Sequence, residues 1–384
     1  MIQNRSPSKN HPDGSTRPMH VLLVEDSNVD AVLVEAHLKK SETLFLVHRT
    51  IDLASGLDYL KCSKVDVILL DLNLPDSMGI ETFDRFHSRA PQIPIVVLSG
   101  QDDFALATAA VADGAQDYLP KEEASASSLT RSIRYAIERS HRQKVEREVS
   151  AAGEIQRRLF PQSDPIVENF DISGRCDPAN SAGGDYFDFF EMSDQTLGIV
   201  IADVAGHGLG PALIMAQTRA ILRSLGTTLN DVGEILSRAN RVLSCDLAGD
   251  VFVSLLLIRL DTARREMCFA SAGQPAFLFA NDGEMRMEIK SQDPPLCVVG
   301  QHQYSSSEPI SLASNESVFL YTDGIVEAMD GGMEQFGMER MVAVVRQDLG
   351  SGSRKLIENL FESVNDFCQS SPQDDMTAVN IRLV

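Results

Sequence analysis

The sequence predicts two folded domains of different class: an N-terminal α/β domain with a doubly wound, five-stranded parallel sheet, and a C-terminal α+β domain with antiparallel sheets flanked by helices. Three observations predict this arrangement. The chain has 384 residues, which is more than one ordinary hydrophobic core accommodates. Short apolar runs alternate with helix-period segments over residues 19–128, whereas strand-like runs interrupted by pairs of helices fill residues 163–384. A charged helical segment, residues 129–162, connects the two regions.

The composition narrows the class of protein. The formal net charge is -21, from 34 basic and 55 acidic residues, which argues against nucleic acid and against an anionic membrane surface as partners. Six cysteines are scattered without a CxxC pair, a pattern typical of reduced cytoplasmic thiols. Residues 1–18 are polar and predict a disordered tail without a secretory signal. No apolar run approaches the length of a membrane span.

The N-terminal region has the alternation of a parallel α/β fold. Near-continuous apolar runs predict buried strands, and helix-period segments separate them. The strands fall at residues 20–24, 65–70, 95–98 and 116–119, and the helices at residues 30–39, 52–62, 79–88 and 103–112. Ligands in such a fold bind at the carboxyl ends of the strands.

Residues 129–162 predict a long amphipathic helix. The segment contains neither glycine nor proline before Gly153, and its apolar residues recur at spacings of three and four, with an interruption near residues 140–144. A parallel two-stranded coiled coil that makes a homodimer is the sharper interpretation. The alternative is a single helix packed on one of its own domains.

The C-terminal region predicts antiparallel sheets with helices inserted in pairs. Pro211 suits the first position of a helix. The predicted strands are residues 197–202, 251–260, 267–271, 277–280, 318–321 and 378–383, and the predicted helices are residues 211–225, 231–247, 338–347 and 354–368.

Five polar residues stand at the predicted strand ends of the N-terminal domain. Glu25 and Asp26 follow the first strand, Asp71 and Ser99 end two others, and Lys121 follows the last. Three carboxylates at one sheet edge repel one another, and Mg²⁺ with its preference for oxygen ligands neutralises them. An aspartate beside that ion can attack a phosphoryl donor. Ser99 and Lys121 are placed to hold the transferred phosphoryl oxygens.

The motifs EDS, DLNLPDSMG, VLSG and YLPK together resemble the bacterial response-regulator receiver family over about 120 residues. The resemblance implies that an upstream sensor histidine kinase supplies the phosphoryl group. Glu122 replaces the proline that usually follows the lysine, and a degenerate receiver that only docks a partner is the alternative. By the same resemblance Asp71 is the phosphoacceptor, Glu25, Asp26, Asp71 and the Asn73 carbonyl hold Mg²⁺, and Ser99, Tyr118 and Lys121 are the switch residues.

Four acidic motifs occur in order along the C-terminal region. Carboxylates at strand ends that face one cleft form an oxygen-rich site for two hard cations. Two such ions about 4 Å apart can share a water and lower its pKa, which gives a nucleophile at neutral pH. The motifs are SAGGDYFDF around Asp185, IADVAGHG around Asp203, YTDG around Asp323, and QDDMT around Asp374 and Asp375.

The GGDYF segment also looks like the GGDEF signature of diguanylate cyclases, which are common outputs of receiver domains. The cyclase signature carries an acidic residue where this chain has Tyr186. A cyclase would also leave the motifs around Asp203, Asp323 and Asp374 without a role. We therefore reject the cyclase interpretation.

Taken together, the four motifs resemble the metal-dependent type 2C protein phosphatases of the SpoIIE-type branch, over about 220 residues and upstream into EIQRRLFP. The resemblance implies a helix-flanked antiparallel β-sandwich with two Mn²⁺ or Mg²⁺ ions. Gln274 stands where the family commonly has histidine, and no arginine is identified as a clamp for the substrate phosphate. By resemblance Asp203 is the shared ligand, with the Val204 carbonyl beside it. Asp185 supports one ion, Asp323 and Asp374 hold the other, and Asp375, His207 and Gly206 are supporting or weak ligands.

The functional hypothesis is a response regulator with protein serine/threonine phosphatase output. Domain order implies control by phosphorylation at Asp71, and the family resemblance implies a phosphoserine on an anti-sigma-factor antagonist as substrate. A catalytically silent partner-binding module, switched by the receiver, is the alternative. A transcription regulator is disfavoured because the acidic chain offers no basic recognition helix.

Overall fold

The computed structural model describes residues 17–100, 109–247, 251–291, 293–369 and 373–384. The chain divides into two compact units, Met1–Arg147 and Glu148–Val384. Residues 1–16 of the predicted tail and residues 103–108 of the predicted fourth helix lie outside the described residues. Both predicted fold classes are confirmed, a parallel sheet in the first unit and antiparallel sheets in the second.

The first unit is built on a five-stranded sheet in which every pair of neighbouring strands is parallel. The three central strands bury both faces, which explains their near-continuous apolar sequences. In spatial order the strands are Phe45–Thr50, Met19–Val24, Val67–Asp71, Ile95–Ser99 and Asp117–Pro120. A short hairpin, Asn73–Leu74 with Ser77–Met78, follows the third of these strands, and the helices Asn28–Lys39, Leu53–Cys62 and Ile80–Arg89 cover the sheet.

The strand Phe45–Thr50 was absent from the sequence prediction. It is an edge strand on which half-buried and exposed residues alternate. An edge strand buries less of its surface than a central one, so it lacks the continuous apolar run by which the other strands are found.

A single helix, Ala126–Arg157, connects the two units, and we call it the joining helix. It begins three residues before the predicted start and continues through residues 140–144, where the apolar pattern weakens. Leu129, Ile133 and Ala136 are fully buried in the core of the first unit, so its first turns belong to that core. None of the helices in the described part of the chain is long and apolar enough to cross a membrane.

The second unit contains two five-stranded antiparallel sheets. Sheet A consists, in spatial order, of Ile310–Ser311, Glu266–Ala272, Val253–Asp261, Leu197–Val204 and Tyr186–Glu191. Sheet B consists of Met285–Ile289, Ala276–Phe279, Ser317–Tyr321, Met376–Leu383 and Phe170–Asp177. The helices are Leu209–Gly226, Val232–Asp246, Asp323–Val326, Gly337–Asp348 and Ser353–Cys368.

Strand periodicity stacks these elements in four layers. Ile199 and Ile201 lie in a core between the two sheets, whereas the intervening Val200 packs against the helices that cover sheet A. Sheet B repeats the pattern, since Leu320 faces sheet A and Phe319 faces the helices. Alternate residues of a strand point to opposite faces, and both faces are buried here, so the unit is a helix-flanked β-sandwich.

Several details differ from the sequence prediction. The first long helix begins at Leu209, so Pro211 occupies its third position rather than its first. The strand Tyr186–Glu191 was not predicted, because Asp188 interrupts its apolar run. Asp188 is fully buried, and its two carboxylate oxygens each accept a hydrogen bond of 2.6 Å from Arg223. The strands Phe170–Asp177, Met285–Ile289 and Ile310–Ser311 were missed as well.

The packing of the joining helix predicts a position-dependent effect of removing an isoleucine side chain. Ile133→Ala is expected to lower the free energy of unfolding of the first unit by about 2–5 kcal/mol, because it leaves a cavity in a fully buried site. Ile155, which is 65% exposed on the same helix, provides the matched control. Ile155→Ala is expected to change stability by less than about 0.5 kcal/mol. Urea unfolding of the full chain measures both, and equal effects would contradict the assignment of the first turns to the core.

Candidate active sites

The acidic residues of the first unit meet at one edge of its parallel sheet. One carboxylate oxygen from each of Glu25, Asp26 and Asp71 lies within 4.8 Å of the others. Glu25 and Asp71 are buried, whereas Asp26 is exposed. This oxygen set has the chemistry of a magnesium site that keeps several waters on the ion.

Lys121 forms ion pairs with acidic residues of this site. Its Nζ lies 2.5 Å from Asp71 Oδ2, 2.7 Å from Glu25 Oε2 and 3.1 Å from Asp30 Oδ2. Burial raises the pKa of Glu25 to about 7, with a further contribution from Asp71 that Lys121 partly offsets. Burial alone would lower the pKa of Lys121, but its hydrogen bonds to Asp71 and Glu25 outweigh burial and raise it.

The remaining predicted receiver residues lie on the last two strands of the sheet and in the short hairpin after Asp71. Ser99 is buried at the end of its strand, and Tyr118 is half-buried against the core. The Asn73 backbone N–H donates to Asp71 Oδ1 at 2.9 Å, which fixes the chain immediately after the predicted phosphoacceptor. Glu122, the departure from the family pattern, lies in a short 3₁₀ turn and removes no ligand.

Two polar residues of this site escaped the sequence analysis. Arg49 donates to the Glu25 carbonyl through Nε and Nη2, both at 3.0 Å, and to the Asp26 carbonyl at 3.1 Å. It therefore holds the acidic loop from the neighbouring strand. Asp30 adds a third carboxylate around Lys121. The Arg49 contacts depend on which strands are neighbours, and the strand that carries Arg49 was not predicted. The contact of Asp30 with Lys121 joins a helix to the end of an edge strand, 91 positions further along the chain.

The second candidate site lies at one end of the β-sandwich. Ile199 and Ile201 face the interior between the sheets, so strand periodicity places Asp203 on that same face where the strand ends. In sheet B, Thr377 lies two residues before the inward-facing Val379, so its side chain also faces the interior between the sheets. The sandwich thus directs polar side chains from both sheets towards one end of its interior.

Asp185 is held at this end by two hydroxyl groups. Its Oδ2 accepts hydrogen bonds from Thr322 Oγ1 at 2.8 Å and Thr377 Oγ1 at 2.6 Å. Neither threonine was singled out from the sequence, although Thr322 lies within the YTDG motif and Thr377 within the QDDMT motif. The side chain of Asp185 is 3% exposed, so these bonds fix the orientation of a buried carboxyl group.

Asp375 supports the loop that leads to Asp185. Its Oδ1 accepts from the Ala179 backbone N–H and its Oδ2 from the Gly184 backbone N–H, both at 2.8 Å. Both oxygens therefore bind backbone, which favours the supporting role over that of a metal ligand. A Cβ atom at Gly184 would lie 2.5 Å from the Val204 carbonyl oxygen, so only glycine permits this approach.

Several carboxylates accumulate here and raise one another's pKa. Burial raises the pKa of Asp203 to about 7, and Asp323 and Asp374 raise it further by repulsion. Burial and then Asp203 raise the pKa of Asp185 well above its usual range, and burial also raises that of Asp374. Among the described residues no lysine or arginine forms an ion pair with these four groups. In the described part of the chain, three carboxylate oxygens come within 4.8 Å of one another at Glu25, Asp26 and Asp71 but not among these four acids. The oxygen chemistry and uncompensated charge of the four acids nevertheless fit divalent cations.

A cleft of about 230 Å³ opens beside Asp203 and Asp323. Asp323 is exposed as the first residue of a short helix, and Asp374 is exposed as well. In the described part of the chain no arginine lines the cleft. Gln274 does line it, but its Nε2 donates to the Tyr321 carbonyl, which gives its side chain a structural contact.

The turn after Asp203 contains the predicted supporting residues Gly206 and His207. Gly206 and Gly208 have φ values of 100° and 88°, which lie in the left-handed region that favours glycine. His207 is exposed and lies close enough to Asp374 to lower its pKa. This geometry leaves His207 accessible to a bound substrate.

The raised pKa of Asp203 predicts pH-dependent metal binding. Below about pH 7 the Asp203 carboxyl of the metal-free protein holds a proton, and a cation that binds there must displace it. The dissociation constant for Mn²⁺ is therefore expected to fall as the pH rises from about 6, by up to about tenfold per unit, and to level off once the carboxyls are ionised. Isothermal titration calorimetry in two buffers of different ionisation enthalpy measures the affinity and the released protons. A constant affinity without proton release would contradict this account.

The close approach of Gly184 to the Val204 carbonyl predicts a severe effect of one added methyl group. Gly184→Ala forces two backbone segments apart, and displacement of a ligand by about 1 Å is expected to lower phosphatase activity by about 100-fold. Gly210 provides the matched control because a Cβ there meets nothing within 4 Å. Gly210→Ala is expected to retain activity within about twofold. Steady-state hydrolysis of a phosphoester by both variants tests the prediction, and equal activities would refute it.

Two family models match the chain. The model described as Stage II sporulation protein E (SpoIIE) matches residues 193–384, which is half of the chain. The model described as Response regulator receiver domain matches residues 21–134. Asp203, Asp323 and Asp374 lie inside the first match, whereas Asp185 precedes it.

Individual relatives agree with these matches. The chain is similar to phosphoserine phosphatase RsbU of Bacillus subtilis, with 23% identity over 64% of this chain and 72% of the relative. It is also similar to phosphoserine phosphatase RsbP of the same organism, with 24% identity over 48% of this chain but only 46% of the relative. The solved SiaA-PP2C domain of Pseudomonas aeruginosa has the same fold, with a TM-score of 0.55 and 24% identity over 64% of this chain and 99% of that one. The chain therefore belongs to the SpoIIE family of serine/threonine protein phosphatases and carries a response-regulator receiver domain in front of the phosphatase domain.

Proposed function

We propose that this chain is a response regulator whose output is hydrolysis of phosphoserine or phosphothreonine on a protein, controlled by phosphorylation at Asp71. The observation that carries the proposal is the cluster of carboxylates at the end of the sandwich, which no lysine or arginine among the described residues compensates. Membership of the SpoIIE family supports hydrolysis of a phosphoester at that cluster.

The ligands of the proposed phosphatase site follow from the cluster. Asp203 would be a ligand shared by two Mn²⁺ or Mg²⁺ ions, and its interactions with the other acids of the site support this role. The Val204 carbonyl and Asp185 would help to hold one ion, and Asp323 and Asp374 would hold the other. Asp375 holds the loop of Asp185 rather than an ion.

The bound ions supply Lewis acidity and a water that is activated at neutral pH. The protein side chains would hold the metal ligands and the substrate in position. Thr322 and Thr377 orient Asp185, and the cleft beside Asp323 admits the phosphate group. His207 is placed at the mouth of the site, where it is able to deliver a proton to the departing seryl oxygen.

In the receiver domain we propose Asp71 as the nucleophile that accepts the phosphoryl group. Glu25, Asp26, Asp71 and the Asn73 carbonyl would hold one Mg²⁺. Lys121 already contacts Asp71 at 2.5 Å and would bind a phosphoryl oxygen, while Ser99 offers a hydroxyl at the neighbouring strand end. Tyr118 on the last strand completes the proposed switch.

The proposed partners follow from the relatives and from the joining helix. RsbU and RsbP are named phosphoserine phosphatases, which supports a phosphoserine substrate, and we propose an anti-sigma-factor antagonist. In the cytoplasm, an upstream sensor histidine kinase would supply the phosphoryl group to Asp71 of the receiver domain. Residues 141–148 of the joining helix are almost all exposed, and Val145 is 44% exposed there. We propose a homodimer through the joining helix, on which Val145 and Ile155 are exposed apolar side chains at 44% and 65%.

The phosphatase proposal predicts that one aspartate carries most of the activity. Asp203→Asn is expected to lower hydrolysis of a phosphoserine peptide by the full chain with Mn²⁺ on the order of 10³-fold, because weakening a shared metal ligand removes several kcal/mol of transition-state stabilisation. Asp282→Asn is the matched control, since Asp282 is an exposed turn residue whose Oδ1 accepts a hydrogen bond from the Glu284 N–H. That control is expected to retain activity.

The same assay tests the control by the receiver. Beryllofluoride, which mimics a phosphoryl group on aspartate, is expected to change the rate of the full chain and to leave that of an Asp71→Ala variant unchanged. Equal rates with and without the mimic would refute control through Asp71. Failure of the unmodified chain to hydrolyse any phosphopeptide would instead favour the silent partner-binding module.

A further inference from the structure

The end of the joining helix makes an unusual contact with the loop that precedes Asp185. Gln156 is buried, although the adjacent Ile155 is 65% exposed. Its Nε2 donates to the Gly183 carbonyl at 2.6 Å, and its Oε1 accepts from the Gly183 N–H at 3.1 Å. The opposite amide orientation would place donor against donor, so the pairing itself specifies this orientation. Two bonds to one residue fix both its position and its rotation.

Gly153 brings the helix and the loop into backbone contact. It lies three residues before Gln156 and therefore on the same helix face. A Cβ atom at Gly153 would lie 1.7 Å from the Ser181 carbonyl oxygen. Because no other residue type permits this distance, glycine at position 153 allows the helix to contact the loop here. The helix end is thus packed directly on residues 181–183.

The other side of the loop rests on Asp375. A Cβ atom at Gly183 would lie 1.9 Å from Asp375 Oδ2, and that oxygen accepts the N–H of Gly184 at 2.8 Å. The loop is therefore held between the Gln156 amide and the Asp375 carboxylate. Asp185 follows it immediately.

We propose that Gln156 is a positioning residue for the metal site of the phosphatase domain. Its amide fixes Gly183, and this places Gly184 against the Val204 carbonyl and Asp185 against its two threonines. The inference rests on the proposed metal site and goes beyond it, because it assigns a helix residue outside the four acidic motifs to that site. It also implies that a fragment beginning at residue 163 lacks part of its active site.

The test measures metal binding apart from catalysis. In the full chain, Gln156→Ala is expected to raise the Mn²⁺ dissociation constant, measured by isothermal titration calorimetry, by about 10–100-fold, as is typical for loss of a contact that orients ligands. Activity on a phosphoserine peptide is expected to require correspondingly more Mn²⁺ and to return to within a few-fold of the unmodified rate at saturation. Glu154→Ala, on the exposed side of the same turn, is expected to change neither quantity.

A second variant covers the case in which Gln156→Ala fails to fold. Gln156→Glu keeps the side-chain volume and the acceptor but removes the donor to the Gly183 carbonyl, and it is expected to weaken Mn²⁺ binding as well. Unchanged Mn²⁺ affinity in folded variants, with the unmodified chain binding Mn²⁺ and hydrolysing the peptide, would overturn this inference alone. An unmodified chain that binds no Mn²⁺ would overturn the proposed function and this inference together.

Discussion

Electrostatic repulsion among carboxylates at the end of the β-sandwich is the constraint on which the second unit depends. Strand periodicity directs Asp203 into the interior between the sheets, and the loop after Gly184 adds Asp185. Burial then raises the pKa of both carboxyls. Ionising such groups without a counter-charge opposes folding, since the ionised form is the one that burial penalises. A divalent cation removes this conflict, so the arrangement makes physical sense as a metal site.

The two units differ in how the charge of their neighbouring carboxylates is balanced. In the receiver, Lys121 contacts Glu25, Asp30 and Asp71, so a protein cation already balances part of the charge. In the phosphatase domain no such cation is found within the described residues, and the hydroxyls of Thr322 and Thr377 orient Asp185 without neutralising it. The receiver acids are therefore partly neutralised within the protein itself, whereas the carboxylates of the phosphatase domain have no such internal charge balance within the described residues.

Much of the fold was predictable because central strands are buried on both faces and have continuous apolar sequences. Two strands could not be predicted in this way. The edge strand Phe45–Thr50 has an alternating pattern rather than a continuous apolar run. The strand Tyr186–Glu191 contains Asp188, whose burial depends on Arg223 from a distant helix. The acidic residues of both sites, apart from Asp30, were identified because each belongs to a short motif. The groups that orient them were missed because the contacts of Thr377 with Asp185 and of Gln156 with Gly183 join residues 192 and 27 positions apart.

The most direct test of the central claim is anomalous diffraction from crystals of the full chain soaked with Mn²⁺. The account predicts two manganese peaks at the end of the sandwich, both within bonding distance of Asp203, with Asp375 still bonded to the Gly184 N–H. Occupied manganese sites elsewhere in the crystal, with none beside Asp203, would contradict it.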